Sequence, residues 1–535
     1  MRRFDSKIKI NSKDFKDYYQ HNKNLSDDLK EKQKIARTVR PEKDTVRLAS
    51  QNKMLPRERI DLLLDPGTPF LELSTLAANM AYGGDSPSAS CVTGIGVIHG
   101  HEVIIHANDP SVKGGAWYPL TVKKIVRCLD IAIENRLPVV HLCDSAGGFL
   151  PLQSELFPDK YMAGRMFRNQ CVLSKMKVKQ LALVFGHCTA GGAYVPALSD
   201  YSVIVRGTGA VFLAGPPLVK AATGEIVTAN ELGGADLHTS VSGTCDYAAD
   251  SEEHAIEIGR EIISSWEQTQ KFKLPKEPIE EPYYNSDELL GIIPSDIKRQ
   301  FDMREIIARL VDGSRFHEYQ PDYGKTIICG YAKIWGYNVG FLANNGVLFN
   351  DSTLKAAHFI ELCNQNNTPI IFLQNITGFM VGRDYEAAGI TKDGAKMLMA
   401  QVGSHVPKFT VMVNGSFGAG NYGMCGRAFD SRFIFSWPNH QIGIMGGEQA
   451  AKTLVEVKQR QLEKDGGKAD QEILKEVYDE TLKAYQQQMS AYYSTSEIWD
   501  DGVISPPDTR NVLGICISAS MNAPLNEEGY GVFRL

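Results

Sequence analysis

The chain has 535 residues, and what it lacks narrows its class before any motif is read. No apolar run approaches the roughly twenty residues that cross a bilayer, and the start carries no apolar segment followed by a small-residue cleavage site. A soluble, intracellular protein with no membrane partner is expected, cytoplasmic in a bacterium or in the mitochondrial matrix of a eukaryote. A net charge of −6 leaves no positive excess to attract a nucleic acid. The Lys/Arg-rich start as far as Lys53 is balanced by acidic residues and reads as a solvated helical arm. The 10 cysteines lie mostly inside apolar runs, at Cys128, Cys143, Cys188, Cys329 and Cys516, and never form C-x-x-C. That argues against a disulfide framework and against a zinc ribbon.

Several catalytic engines are missing as well. There is no G-x-x-x-x-G-K-[ST] and no clean G-x-G-x-x-G after a first strand, which disfavours nucleotide hydrolysis. Ser145 reads Cys-Asp-Ser-Ala-Gly and Ser416 reads Asn-Gly-Ser-Phe-Gly, so neither has the G-x-S-x-G frame of a nucleophile elbow. His187 ends an apolar run beside Gly191-Gly192, but the sequence places no carboxylate to orient it. A loop-orienting histidine is the expected reading, ahead of a general base.

What is present is a pair of Gly-rich turns that occurs twice. In the first half Leu137-Pro-Val-Val-His-Leu142 leads into Asp144-Ser-Ala-Gly-Gly-Phe149, and Leu181-Ala-Leu-Val-Phe185 leads into Thr189-Ala-Gly-Gly-Ala-Tyr194. In the second half Pro369-Ile-Ile-Phe-Leu373 leads into Asn375-Ile-Thr-Gly-Phe379, and Phe409-Thr-Val-Met-Val413 leads into Gly415-Ser-Phe-Gly-Ala-Gly420. Gly94 maps to Gly330 and Gly147 to Gly378, so the repeat is a duplicated domain and not a short-period array. A strand that breaks into glycines at the start of a helix exposes N–H groups without intrahelical partners. Two such donors aimed at one point stabilise a developing oxyanion. With no obvious acid, base, nucleophile or metal beside them, they suit enolate chemistry in which a substrate or cofactor brings the base.

The length calls for two domains of roughly 200 to 250 residues. From about residue 90 short β-rich runs alternate with helical segments such as Pro119–Asn135 and Pro158–Met176, the pattern of β-α-β units with both sheet faces covered. Pro56 is placed in a first helical turn. The Lys-, Glu- and Pro-rich stretch from Trp266 to Ser295 reads as an interdomain linker, dividing the chain into 1–285 and 286–535. An insertion from Glu448 to Ser490, interrupted by Gly466-Gly467, predicts a pair of long helices.

The residues then resemble a known family, the carboxyltransferase (β) subunits of biotin-dependent acyl-CoA carboxylases, with the methylcrotonoyl-CoA and geranyl-CoA members nearest. The resemblance runs from Leu55-Pro-Arg-Glu-Arg-Ile-Asp to the C-terminus. It is carried by Cys188-Thr-Ala-Gly-Gly-Ala-Tyr-Val-Pro196, the run Phe212 to Glu225, Leu232-Gly-Gly-Ala-Asp-Leu-His238, the run Phe372 to Arg383, the run Gly418 to Arg427 and Trp499-Asp-Asp-Gly-Val-Ile504. It implies an α/β fold of two tandem crotonase-like domains, the first serving acyl-CoA and the second carboxybiotin. It also implies a β homohexamer, within an α6β6 assembly, whose sites lie between the first domain of one subunit and the second of a neighbour.

By this resemblance Gly191 and Gly192 serve the thioester oxygen and Ala419 and Gly420 the ureido oxygen. Ala146, Gly147, Gly148, Ala163, Gly378 and Phe379 line the substrates. Biotin arrives on a separate biotin carboxylase/biotin carrier α subunit, and this chain needs no metal. The implied activity carboxylates 3-methylcrotonoyl-CoA to 3-methylglutaconyl-CoA in leucine breakdown, with geranyl-CoA or propionyl-CoA as alternatives. Family members usually carry Asp-Ser-Gly-Gly-Ala-Tyr where this chain has Asp144-Ser-Ala-Gly-Gly-Phe149, a bulky Phe at Ala163 and a serine at His187. Smaller side chains leave room for a longer acyl group. The alternative from another class is a non-catalytic acyl-CoA-binding scaffold, against which intact turns in both halves speak. Exchanging a turn glycine for a β-branched residue is expected to leave the fold intact.

Overall fold

The computed structural model describes residues 1–267, 277–464, 471–525 and 529–533. Two sheets of the same design carry the fold. The first holds β1 (Leu71–Leu73), β2 (Cys91–Ile98), β3 (His101–Asn108), β4 (Val139–Ser145), β5 (Gln180–Thr189), β6 (Tyr201–Val205), β7 (Ala210–Phe212) and β8 (Tyr247–Ala249), in the order β1-β2-β3-β4-β5-β6-β8 with β7 on β5. The second holds β9 (His317–Tyr319), β10 (Ile327–Ile334), β11 (Tyr337–Asn344), β12 (Ile370–Ile376), β13 (Lys408–Phe417), β14 (Phe433–Ser436) and β15 (Gln441–Gly443), in the order β9-β10-β11-β12-β13-β14 with β15 on β13. In each, an antiparallel hairpin feeds three parallel pairings. The central strands β4, β12 and β13 are buried at every residue, as their unbroken apolar runs require.

The duplication extends to single hydrogen bonds. The β2–β3 hairpin turns through His99-Gly100 and the β10–β11 hairpin through Trp335-Gly336, all four at positive φ. Asp65 accepts from both N–H groups of the first turn, at 2.9 and 2.9 Å, and Asp312 from both of the second, at 3.1 and 2.8 Å. Each carboxylate is paired with an arginine, Arg260 or Arg510. In the crossover helices Pro119–Asn135 and Asn350–Gln365, the buried Lys124 and Lys355 each donate to two backbone carbonyls.

One apolar core runs through both halves. A buried ion cluster adds to it: Asp501 accepts from Arg127 of the first crossover helix and from Arg427 of the second half. Helix Lys13–Thr38 also reaches across, and Asn22 donates to the Leu290 and Ile293 carbonyls.

Two expectations need adjusting. The helix placed at 158–176 is Ala163–Lys175, because Asp159 accepts from the Lys160 N–H and from Met162 N in a local turn that competes with helix. The supposed linker ends in Leu289–Ile292, a short helix that is buried core, and its residues 268–276 lie outside the described residues. The insertion forms the expected pair of long helices, Gly447–Lys464 and Gln471–Gln488, packed on each other, with Gly466-Gly467 outside the described residues. Pro56 opens helix Pro56–Leu63 as expected.

Candidate active site

In each half the second Gly-rich turn follows the longest strand. β5 ends at Thr189, Ala190 takes φ 52°, and a single helical turn, Ala190–Ala193, carries Gly191 and Gly192. β13 ends at Phe417, Gly418 takes φ 56°, and helix Ala419–Gly423 begins with Ala419 and Gly420. Sheet register makes these stations equivalent, since Cys188 pairs with Ser145 of β4 and Ser416 with Ile376 of β12, each beyond a bulge. Gly191 therefore answers to Ala419 and Gly192 to Gly420. The first N–H groups of such a turn have no intrahelical acceptor, the condition under which a helix start can meet an anion.

The β4 and β12 turns lie alongside. Trp117 N donates to the Gly147 carbonyl at 2.8 Å and Phe149 N to the Trp117 carbonyl at 2.9 Å; Leu348 N donates to the Gly378 carbonyl at 3.2 Å and Met380 N to the Leu348 carbonyl at 2.9 Å. Gly148 bridges Trp117 as Phe379 bridges Leu348. Gly147, at φ 88°, has no room for a side chain, since a Cβ would lie 3.0 Å from the Thr189 carbonyl oxygen. At Gly420 a Cβ would meet Ile376 Cγ1 at 2.5 Å, whereas at Gly192 it would touch nothing closer than 3.9 Å. The expectation of an intact fold after substitution thus suits Gly192 and fails for Gly420, where Ile376 fills the space.

The surroundings of the two turns differ. Gly378, Phe379, Gly418 and Ala419 open on a cleft of about 840 Å³, walled by the start of helix Gly447–Lys464 and by Leu482 and Met489. Beside the first turn Ala146, Ser145, Thr189 and His187 line a cavity of about 380 Å³ with Arg47 and Lys53. Ala163, 7% exposed, is the first residue of its helix and packs in the apolar core. One helical turn later Phe167 reaches Gly191, where a Cβ would lie 3.2 Å from the Phe167 ring and 3.3 Å from Trp117. No motif pointed to Trp117 or Phe167, which meet Gly191 only through the fold.

The two candidate serines are occupied elsewhere. Ser145 Oγ donates to the Gly115 carbonyl and accepts from Gly147 N. Ser416 Oγ donates to Gln374 and accepts from Asn421. Both hydroxyls brace their turns. The neighbouring Cys143 side chain, and then burial, raise the Cys188 thiol well above its ordinary value, which keeps it protonated. Partial burial and then the Lys53 ammonium lower the His187 pKa. Its ring stands edge-on to Phe212, 5.4 Å between centroids.

Behind the first turn lies a buried charge cluster. Asp144 is 2.6 Å from Lys53 Nζ and 3.4 Å from Arg59, which also grips Glu252 through two bonds of 2.8 and 2.6 Å. The equivalent of Asp144 in the second half is Asn375, which accepts from Asn414, which in turn accepts from Asn439.

Known proteins are similar to this chain. The carboxyl transferase domain model matches residues 48–529, and the chain belongs to that family. It is 53% identical over 492 residues to the mitochondrial methylcrotonoyl-CoA carboxylase beta chain of Arabidopsis thaliana, covering 91% of this chain and 84% of that one. It is 52% identical to the biotin-dependent 3-methylcrotonyl-coenzyme A carboxylase beta1 subunit of Mycobacterium tuberculosis, covering 91% and 92%. Among solved structures, the geranyl-CoA carboxylase beta subunit of P. aeruginosa superposes with a TM-score of 0.87 at 39% identity, covering 99% of each chain. The two sheets are therefore the crotonase-like double domain of a carboxyltransferase. No helix among the described residues is long and apolar enough to cross a membrane.

Proposed function

We propose that this chain moves a carboxyl group from carboxybiotin, borne by a separate α subunit, to an acyl-CoA, with 3-methylcrotonoyl-CoA the first substrate and 3-methylglutaconyl-CoA the product. The observation that carries the reading is the pair of equivalent N–H turns, one beside a cavity at the end of β5 and one on a larger cleft at the end of β13. Relatives at about half identity named for methylcrotonoyl-CoA support the substrate.

In this reading the Gly191 and Gly192 N–H groups stabilise negative charge on the thioester oxygen as the γ-carbon gives up its proton to the base that bound biotin would supply. Ala419 and Gly420 hold the ureido oxygen. The donor set and the 840 Å³ cleft fit a neutral bicyclic ureido group, and the lining Phe379, Phe417 and Met489 offer it apolar walls. Bound there, carboxybiotin supplies the activated carboxyl group. The flanking glycines let both ligands approach the backbone, and the two turns position the reactants. Residues 1–285 form the acyl-CoA side and 286–535 the carboxybiotin side, and a β hexamer in an α6β6 assembly brings one subunit's first half against a neighbour's second.

Geranyl-CoA is the second reading, favoured by Ala163 and by the likeness to the geranyl-CoA carboxylase subunit; propionyl-CoA comes behind it. A scaffold needs only one binding turn, and both are intact. Specificity constants measured with the purified biotin-carrying subunit, ATP, bicarbonate and a panel of acyl-CoAs test the proposal. Methylcrotonoyl-CoA is expected to lead, and carboxylation of no member would refute it.

A further inference from the structure

The cluster at Asp144 has no task in that mechanism, and the fold does not explain it. Both halves build the same bulge before the same turn, and in both an asparagine, Asn108 or Asn344, accepts from the backbone N–H at the bulge, at 3.3 Å in each case. The second half does this with neutral amides, Asn375, Asn414 and Asn439. The first half buries two carboxylates and two cations instead. Burying paired charges where neutral groups serve is seldom a gain in stability.

The exchange is steric as well as electrostatic. Register sets Gly186 of β5 opposite the station of Asn414. A Cβ on Gly186 would fall 1.9 Å from the Asp144 carboxylate and 2.5 Å from Lys53 Nζ. The volume that Asn414 fills in one half is left open by Gly186 in the other, and the Lys53 ammonium occupies it. Lys53 lies outside the repeated sheet, between helices Glu42–Ser50 and Pro56–Leu63, and the next residue is pinned by the Met54 N–H donating to Glu252. Its head group is nearly buried yet lines the cavity shared with Ala146 and Thr189.

We propose that Lys53 is a positioning residue of the first turn: through Asp144 its ammonium holds the β4 bulge, and with it the aim of Ser145-Ala146-Gly147 beside Gly191 and Gly192. The proposal rests on the reading that this turn receives the acyl thioester. Donors that matter in the transition state show in kcat before KM.

The test is steady-state kinetics of the assembled enzyme carrying Lys53→Ala, Lys53→Arg or Asp144→Asn, with thermal midpoints alongside. Lys53→Ala is expected to lower kcat about 10- to 100-fold, with the KM for acyl-CoA within about twofold. Asp144 is then left with Arg59 alone, so the midpoint should fall as well, and ethylammonium should restore part of kcat by entering the cavity. Asp144→Asn, nearly isosteric, reports the same loss of kcat if the alanine variant fails to fold. Wild-type kcat in both Lys53→Ala and Asp144→Asn overturns the proposal, as does a parallel collapse of kcat, KM and midpoint that neither arginine nor ethylammonium relieves. A wild-type enzyme that carboxylates no acyl-CoA fails at the earlier step, the reading of the site, and the positioning role falls with it.

Discussion

Ala190 and Gly418 occupy one station, the left-handed residue that turns a long central strand into a short helix, at φ 52° and 56°. The ψ of Gly418, −148°, lies where essentially only glycine is found. Each is succeeded by a pair of N–H groups without an intrahelical acceptor, and at the second residue of each pair the two halves differ in room for a side chain.

Gly192→Val and Gly420→Ala should therefore fail in different ways. The first is expected to lower turnover of order 100-fold or more while the thermal midpoint stays near wild type, because a Cβ there meets only ordinary contacts. The second should lower turnover and midpoint together, since Ile376 must move. Kinetics and melting curves of the two variants check this, and an unaffected Gly192→Val enzyme would remove the first turn from catalysis.

Ala163 is a matter of acyl length. It opens the helix whose next turn brings Phe167 to Gly191, and it is already packed. Ala163→Phe should penalise geranyl-CoA more than methylcrotonoyl-CoA, by the roughly 1 to 3 kcal/mol typical of overfilling. The ratio of the two kcat/KM values is the quantity to measure. An unchanged ratio places Ala163 outside the acyl site.

A third outcome concerns pH and stability. His106 and His141 face each other inside the first sheet, Nδ1 to Nδ1 at 3.2 Å. The same register positions in the second sheet hold Leu342 and Phe372. Burial lowers the His141 pKa to about 4, and burial, then His141 and then Lys124, lower that of His106 well below its usual 6.5. Between those values the unfolded chain binds more protons than the folded one. The pair's contribution is fully present above about pH 6.5 and is lost as pH falls through the folded pKa near 4. His106→Leu with His141→Phe, the second half's own pair, should flatten the fall in thermal midpoint between pH 7.5 and pH 5. An equal fall in both proteins would assign acid sensitivity to other groups.

The duplication and the Gly-rich turns were legible because each rests on local pattern: apolar runs bounded by glycine, repeated in order. Gly147 and Gly378 were matched from sequence and receive the same hydrogen bond from Trp117 and Leu348. The start of helix Ala163–Lys175 was not legible, because Asp159 captures local N–H groups that helix propensity alone would have used. Nor was Lys53 beside Asp144, nor Phe167 and Trp117 beside Gly191, since these contacts join distant segments and leave no spacing to read. The contrast between a charged anchor in one half and an amide chain in the other emerged only when register aligned Asp144 with Asn375.

The central claim is that one chain carries both a thioester site and a biotin site, and transfer in reverse tests it without the ATP-driven half of the enzyme. The purified protein, given 3-methylglutaconyl-CoA and free biotin, is expected to strip the carboxyl group at a rate that depends on biotin and to leave 3-methylcrotonoyl-CoA. That rate should fall about 100-fold in Gly192→Val. Loss of the carboxyl group that ignores biotin, or no loss at all from this or any other carboxylated acyl-CoA, would contradict the claim.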